Sequence, residues 1–162
     1  MKKMNSLDFA WQAHQAQEDW TGKADIKGSI LLAADGTVLA ALLAFAREES
    51  CTLRVVWFLC FLCLTASAVF AGLTIKPRIG AGARVEGIDF VYFGHLKDME
   101  PSQLAVELEH MTAGDAIHGL SKQLVVMSRT NWRKHKLLIA STWCAVIGFI
   151  LILAIAFVRY LA

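Results

Sequence analysis

Few residues in this chain combine the types and spacing that chemistry needs. Asp25 and Lys27 place a carboxylate and an ammonium two residues apart. Between themselves they could form a surface ion pair worth well under ~1 kcal/mol. Asp35, beside Gly36, is the only charged residue between Ser29 and Ala46. A carboxylate inside a bilayer costs about 3 kcal/mol on insertion scales and faces protein or water rather than lipid. Asp35 is therefore a polar contact in an oligomer or pore, a protonated or hydrogen-bonded packing residue, or a group shallow enough to reach water. Arg129, Arg133, Lys134 and Lys136 gather around Trp132 just before the last apolar run. Such a band anchors a helix among headgroups. Alternatively some of these cations, or Lys23, Lys27, Arg78 and Arg84, meet a phosphate, a task that suits a guanidinium.

Other constellations fall away on spacing. His110, Asp115 and His118 could suggest a metal, but the histidines are eight residues apart with Gly114 between them, so no tight ligand pair exists. Cys60 and Cys63 form a CxxC inside an apolar run, without the second ligand pair or polar frame of a zinc or redox site. They read, like Cys51 and Cys144, as small helix residues. No phosphate-binding loop, nucleophile elbow or kinase signature occurs, and Gly80-x-Gly82 lacks the strand–helix frame of a dinucleotide site. No enzyme, metal or resident cofactor is expected. A net charge of +2 gives nucleic acid no footprint.

The elements that carry these residues are set by three apolar runs. Ser29–Ala46 has 18 residues, Val55–Ile75 has 21 without a charge, and Leu137–Val158 has 22 without a charge. About 20 helical residues cross a hydrocarbon core, so the chain is expected to be an all-α membrane protein with three transmembrane helices. Residues 1–28 form a cytoplasmic amphipathic helix and 29–75 a two-helix hairpin. Residues 76–136 form a cytoplasmic loop and helix that act as a sensor, and 137–162 a third span with a short tail. With the N-terminus inside, the cytoplasmic face carries Lys2, Lys3, Lys23, Lys27, Lys76, Arg78, Arg84, Lys97, Lys122, Arg129, Arg133, Lys134 and Lys136, against Arg47, Arg54 and Arg159 outside. That asymmetry puts the C-terminus outside. No signal peptide is evident.

Leu7, Trp11, His14 and Ala24 recur at roughly helical spacing, and this first helix is expected to run into the first span. Pro77 ends the second span. Gly80, Gly82 and Gly87 make 76–94 an irregular loop with one extended piece. From Pro101 the stripe Leu104, Leu108, Met111, Ile117, Leu120, Leu124 and Met127 predicts one helix of about 55 residues entering the last span, capped by Asp98. Gly36/Ala40/Ala44, Ala68/Gly72 and Ala140/Cys144/Gly148 repeat small residues every four. That spacing serves close packing among the three spans or self-association into a homo-oligomer.

Four local patterns together carry a family resemblance. They are Ala24-Asp25-Ile26-Lys27-Gly28-Ser29-Ile30-Leu31-Leu32, Pro77-Arg78-Ile79, Val91-Tyr92-Phe93-Gly94-His95-Leu96, and the basic helix entering the last span, where Trp132-Arg133-Lys134-His135 is a loose match. The chain resembles the small membrane effectors of Pycsar antiphage systems over about Leu7 to Val158. The resemblance implies a bacterial inner-membrane protein activated by cyclic UMP or cyclic CMP from a linked pyrimidine cyclase. The activated effector would impair the bilayer and cause abortive infection. Asp25, Lys27, Arg78, His95, Arg129 and Arg133 are the candidates for ligand binding or gating, and Asp35 is the intramembrane polar residue. The competing readings are an effector answering another nucleotide signal, which a neighbouring oligonucleotide cyclase would mark, and a structural or regulatory subunit of a membrane complex, which stable co-purification would mark.

Overall fold

The computed structural model describes residues 5–44, 50–77, 96–97 and 99–161. Among them the fold is all-helical, with three helices long and apolar enough to cross a membrane. The elements are α1 (Ser6–Ala44), α2 (Cys51–Ile75), α3 (Pro101–His110) and α4 (Ala113–Leu161). As expected, the N-terminal helix continues without a break into the first span. Asn5 opens it, its side-chain oxygen accepting from the Leu7 N–H at 3.4 Å. Ser50 caps α2 through the Leu53 N–H. Pro77 follows the last turn, where the Lys76 N–H still reaches the Gly72 carbonyl, and a residue before proline is pushed out of helical geometry.

Two expectations need correction. The helix from Pro101 is not one piece of about 55 residues, because Met111 leaves the helical region (φ −64°, ψ 125°). Thr112 and Asp115 then form a reciprocal cap. The Thr112 N–H donates to Asp115 Oδ2 at 3.0 Å, the Asp115 N–H donates to Thr112 Oγ1 at 3.2 Å, and the Thr112 hydroxyl donates to the same carboxylate at 2.6 Å. This satisfies donors that a helix start otherwise leaves orphaned, so α4 begins afresh and still runs 49 residues, about 74 Å. The N-cap position of α3 is Glu100, with Pro101 in the first turn and no side-chain cap bond. Asp98, and the expected loop apart from Lys76 and Pro77, lie outside the described residues.

The Thr112 hydroxyl and N–H hold the Asp115 carboxyl below the usual carboxylate range. A value lower in the folded than in the unfolded chain contributes stability above the unfolded value and loses it as pH falls through the folded one. Thr112→Ala is expected to speed amide exchange in the first turn of α4. It should also weaken the acid-dependent fraying expected there in the native protein, leaving the part due to the backbone N–H at position 112. Unchanged exchange would mean that the cap does not hold this start.

The chain divides into two compact units. The first contains α1 to Thr21, α3, and α4 to Trp132. Its buried residues include Ala10, His14, Leu120, Gln123 and Asn131. The inward stripe of α1 keeps Leu7 and His14 of the expected set, as Ala24 is kept in the second unit, but not Trp11, which is exposed. It instead steps through Leu7, Ala10, His14, Gln17 and Thr21, the three-and-four alternation of a coiled-coil seam.

The second unit contains α1 from Gly22, α2, and α4 from Arg133. It is built on small residues. Ala24, Gly28 and Asp35 turn inward on α1, Cys60, Ser67, Ala71 and Thr74 on α2, and Ser141, Ala145 and Gly148 on α4. A Cβ on Gly28 would lie 3.2 Å from Ile75, and one on Gly148 would lie 2.8 Å from Leu64. Bilayer helices associate through such close approach, because lipid removes the hydrophobic drive between them. Ile30, Val55, Phe58, Leu62, Ile150 and Leu153 point outward, as lipid contact requires. Of the small-residue stripes, Gly36, Ala40 and Ala44 also face outward, whereas Gly148 is at the packed seam.

Candidate functional site

Within the second unit, polar side chains occur at two levels of the helix seam. The first lies just outside the apolar runs. Asp25 on α1 is ion-paired with Lys134 on α4. Lys134 is 9 % exposed and Asp25 more open to solvent. Burying an ammonium is costly unless it is paired, so Asp25 is what permits Lys134 to sit in the seam. Lys27 is exposed, since residues two apart on a helix do not share a face. The acid and base that looked like one short motif thus serve different surroundings.

The second level lies ten residues further along α1, about 15 Å away by helical rise. Asp35 is 1 % exposed. Its Oδ2 is hydrogen-bonded to the Ser67 hydroxyl at 2.5 Å. Ser67 Oγ is also 2.9 Å from the Ser141 carbonyl and 3.1 Å from Ser141 Oγ, and the Ser141 hydroxyl donates to the Ser67 carbonyl at 3.0 Å. Three spans therefore meet at one buried polar node. The Cys60 thiol donates to the Gly148 carbonyl at 3.4 Å. Cys60 precedes Ser67 by seven residues as Gly148 follows Ser141 by seven, so α2 and α4 run antiparallel in a heptad register. Asp35 is thus a hydrogen-bonded packing residue within the chain, one of the roles its sequence position allowed.

The first unit has its own polar seam. Asn131, 4 % exposed, donates from Nδ2 to the Gln17 carbonyl at 3.0 Å and to Gln17 Oε1 at 2.7 Å. Thr21 donates to Asn131 Oδ1 at 2.6 Å, and Gln17 Nε2 to Ser128 Oγ at 3.2 Å. A polar residue in a helix seam fixes register at some cost in stability. Asn131→Ala is expected to destabilise the protein by about 1–3 kcal/mol, since it leaves Gln17 Oε1 without this donor, while the Thr21 hydroxyl can still donate to the Gln17 carbonyl. A melting temperature equal to the native one would refute that role.

Of the other candidates, Arg129 and Arg133 are both exposed on α4, one helical turn apart. Arg78 and His95 lie outside the described residues. Among the described residues no cluster of three or more His, Cys, Asp or Glu could hold a metal ion, and the Asp115 carboxylate is engaged by Thr112. Sequence reading missed Lys134 as the partner of Asp25, and missed Ser67, Ser141, Gln17, Thr21 and Asn131 altogether. Their signal is spacing by seven, as in Thr21, Gly28 and Asp35, in Cys60, Ser67 and Thr74, and in Lys134, Ser141 and Gly148.

In comparison with known proteins, the family model described as the Pycsar effector protein domain matches residues 9–161. No curated protein and no solved structure matches the chain.

Proposed function

Because the chain belongs to the Pycsar effector family, and is an antiphage effector of that kind with three membrane-spanning helices, we propose that a cyclic pyrimidine nucleotide activates it to breach the bacterial inner membrane. The ligand is cyclic UMP or cyclic CMP, made by a linked pyrimidine cyclase. The single observation that carries this reading is the family match over nearly the whole chain. The N-terminus and the first unit face the cytoplasm, where the nucleotide is made, and the C-terminus faces outside.

The helices suit a relay. α1 and α4 each supply residues to both units, so a ligand that alters the first unit acts on rods that continue into the spans. A ligand shifts such an equilibrium only by its differential affinity for the two states. The damage itself needs no catalysis, only a polar path or a broken lipid seal among associated copies. Lys27, Arg129 and Arg133 are exposed cations suited to the nucleotide phosphate, with Arg78 and His95 as further candidates. Asp25 sets the position of Lys134 at the membrane entry and so acts as a gating residue.

Co-production with an active pyrimidine cyclase is expected to depolarise cells during phage infection, and co-production with a catalytically dead cyclase is not. Lys27→Ala is expected to abolish killing while leaving insertion intact. Depolarisation without cyclase activity would refute nucleotide control, and unchanged killing by Lys27→Ala would remove that residue from the site.

A further inference from the structure

The hydrogen-bond count at the buried node is not satisfied by an ionised carboxylate. Ser67 Oγ lies within bonding distance of two oxygens that cannot donate when Asp35 is charged, Asp35 Oδ2 at 2.5 Å and the Ser141 carbonyl at 2.9 Å. A hydroxyl carries one proton and can serve only one of them. The Ser141 hydroxyl does not help, because its own proton is directed to the Ser67 carbonyl at 3.0 Å. Asp35 Oδ1 is buried with no hydrogen-bonding partner among the described residues. A charged carboxylate would have up to four acceptor sites and at most one donor in a place screened from water and lipid. An isolated charge there carries a large desolvation cost, which neutralisation removes.

One added proton resolves the count at Ser67 and leaves Asp35 Oδ1 as the oxygen of a neutral acid rather than of a buried anion. Placed on Asp35 Oδ2, it is donated to Ser67 Oγ. Ser67 then donates to the Ser141 carbonyl, and Ser141 to the Ser67 carbonyl. The 2.5 Å separation is at the short end for an O–H···O bond. We infer that Asp35 is a proton-binding site inside the membrane bundle, and that the bound proton completes a hydrogen-bond chain through Ser67 and Ser141 that joins all three spans. The chemical class of ligand is the proton itself. Among the described residues Asp35 belongs to no group of three or more His, Cys, Asp or Glu that could hold a metal ion. Among the described residues, the Cys144 thiol on α4 is within electrostatic reach of Asp35, and Cys63 on α2 is within reach of Cys144. The nearest described ion pair is Asp25–Lys134, one level away along the seam.

The test uses the full chain in lipid bilayers at neutral pH, without nucleotide. Infrared difference spectra between the native protein and Asp35→Asn are expected to show a protonated carboxylic-acid carbonyl band, present only in the native protein and shifted by deuterium exchange. Superimposed spectra in that region would overturn the inference. Melting provides the second readout. Asp35→Asn supplies a neutral group with an N–H where the proton stands. It is expected to melt near the native temperature, while Asp35→Ala and Ser67→Ala melt well below it. An Asp35→Asn protein as unstable as Asp35→Ala would overturn the inference, because the anion itself would then be what the node requires.

Discussion

Asp25→Ala is expected to destabilise the protein more than Lys134→Met, and the double variant less than Asp25→Ala alone. Lys134 is buried and Asp25 is partly open to solvent, so the two truncations are not equivalent. Removing Asp25 strands an ammonium in the seam. Removing Lys134 leaves a carboxylate that water can reach, while methionine fills the space with an unbranched apolar chain. Breaking a buried pair costs about 3–5 kcal/mol, and the partial exposure of Asp25 lowers this to roughly 2 kcal/mol. Replacing both members removes the stranded charge and recovers much of the loss. Melting of the four proteins in bilayers gives the coupling directly. Equal losses for the two single variants, or strict additivity in the double, would show that the pair is a surface contact of little consequence. The same cycle bears on gating, because Asp25→Ala should also lose cyclase-dependent killing.

The second large effect is steric. Gly148→Leu is expected to drive α2 and α4 apart at the centre of the second unit. Even a Cβ at this position would approach Leu64 Cγ and Cδ2 to 2.8 Å, and the longer side chain has no space to enter. Overpacking costs about 1–3 kcal/mol and occasionally more. The upper end is expected here, because the Cys60 thiol also bonds the Gly148 carbonyl. Gly148→Ala should lose less, since Leu64 can shift, and Leu64→Ala should rescue it. Gly36→Leu is the control, as nothing lies within 4 Å of a Cβ built there. Equal melting for Gly148→Leu and Gly36→Leu would contradict the seam.

The spans were legible because their signal is long and composition alone carries it. Hydrocarbon thickness sets a length that Val55–Ile75 and Leu137–Val158 meet without a charge. The continuity of α1 was legible too, since Gly22 costs a helix only about 1 kcal/mol. The break at Met111 was not. Stripe periodicity continues across Thr112, and the cap there is a local hydrogen-bond exchange between Thr112 and Asp115. Those two residues do fit a capping box if Asp is accepted in place of Glu at its third position. The buried node shows a different limit. Asp35 stood out as an acid in an apolar run, but Ser67 and Ser141 are ordinary in membrane helices. Only the antiparallel register of α2 and α4 brings them together. The inward face of α1 was also misjudged at Trp11, which is exposed, while the seven-residue seam takes Ala10 and Thr21 beside the expected His14. Small residues every four did not identify the interface, since Gly36, Ala40 and Ala44 face outward and Gly148 inward.

Nucleotide-triggered breach of a bilayer is tested most directly in dye-loaded liposomes holding the purified full chain, with the cytoplasmic face accessible. Cyclic UMP, cyclic CMP, cyclic AMP and cyclic GMP are added separately. Dye release with one pyrimidine nucleotide, and with neither purine nucleotide, is the expected result. Intact liposomes with all four, from protein shown to be inserted and correctly oriented, would contradict activation by a cyclic pyrimidine.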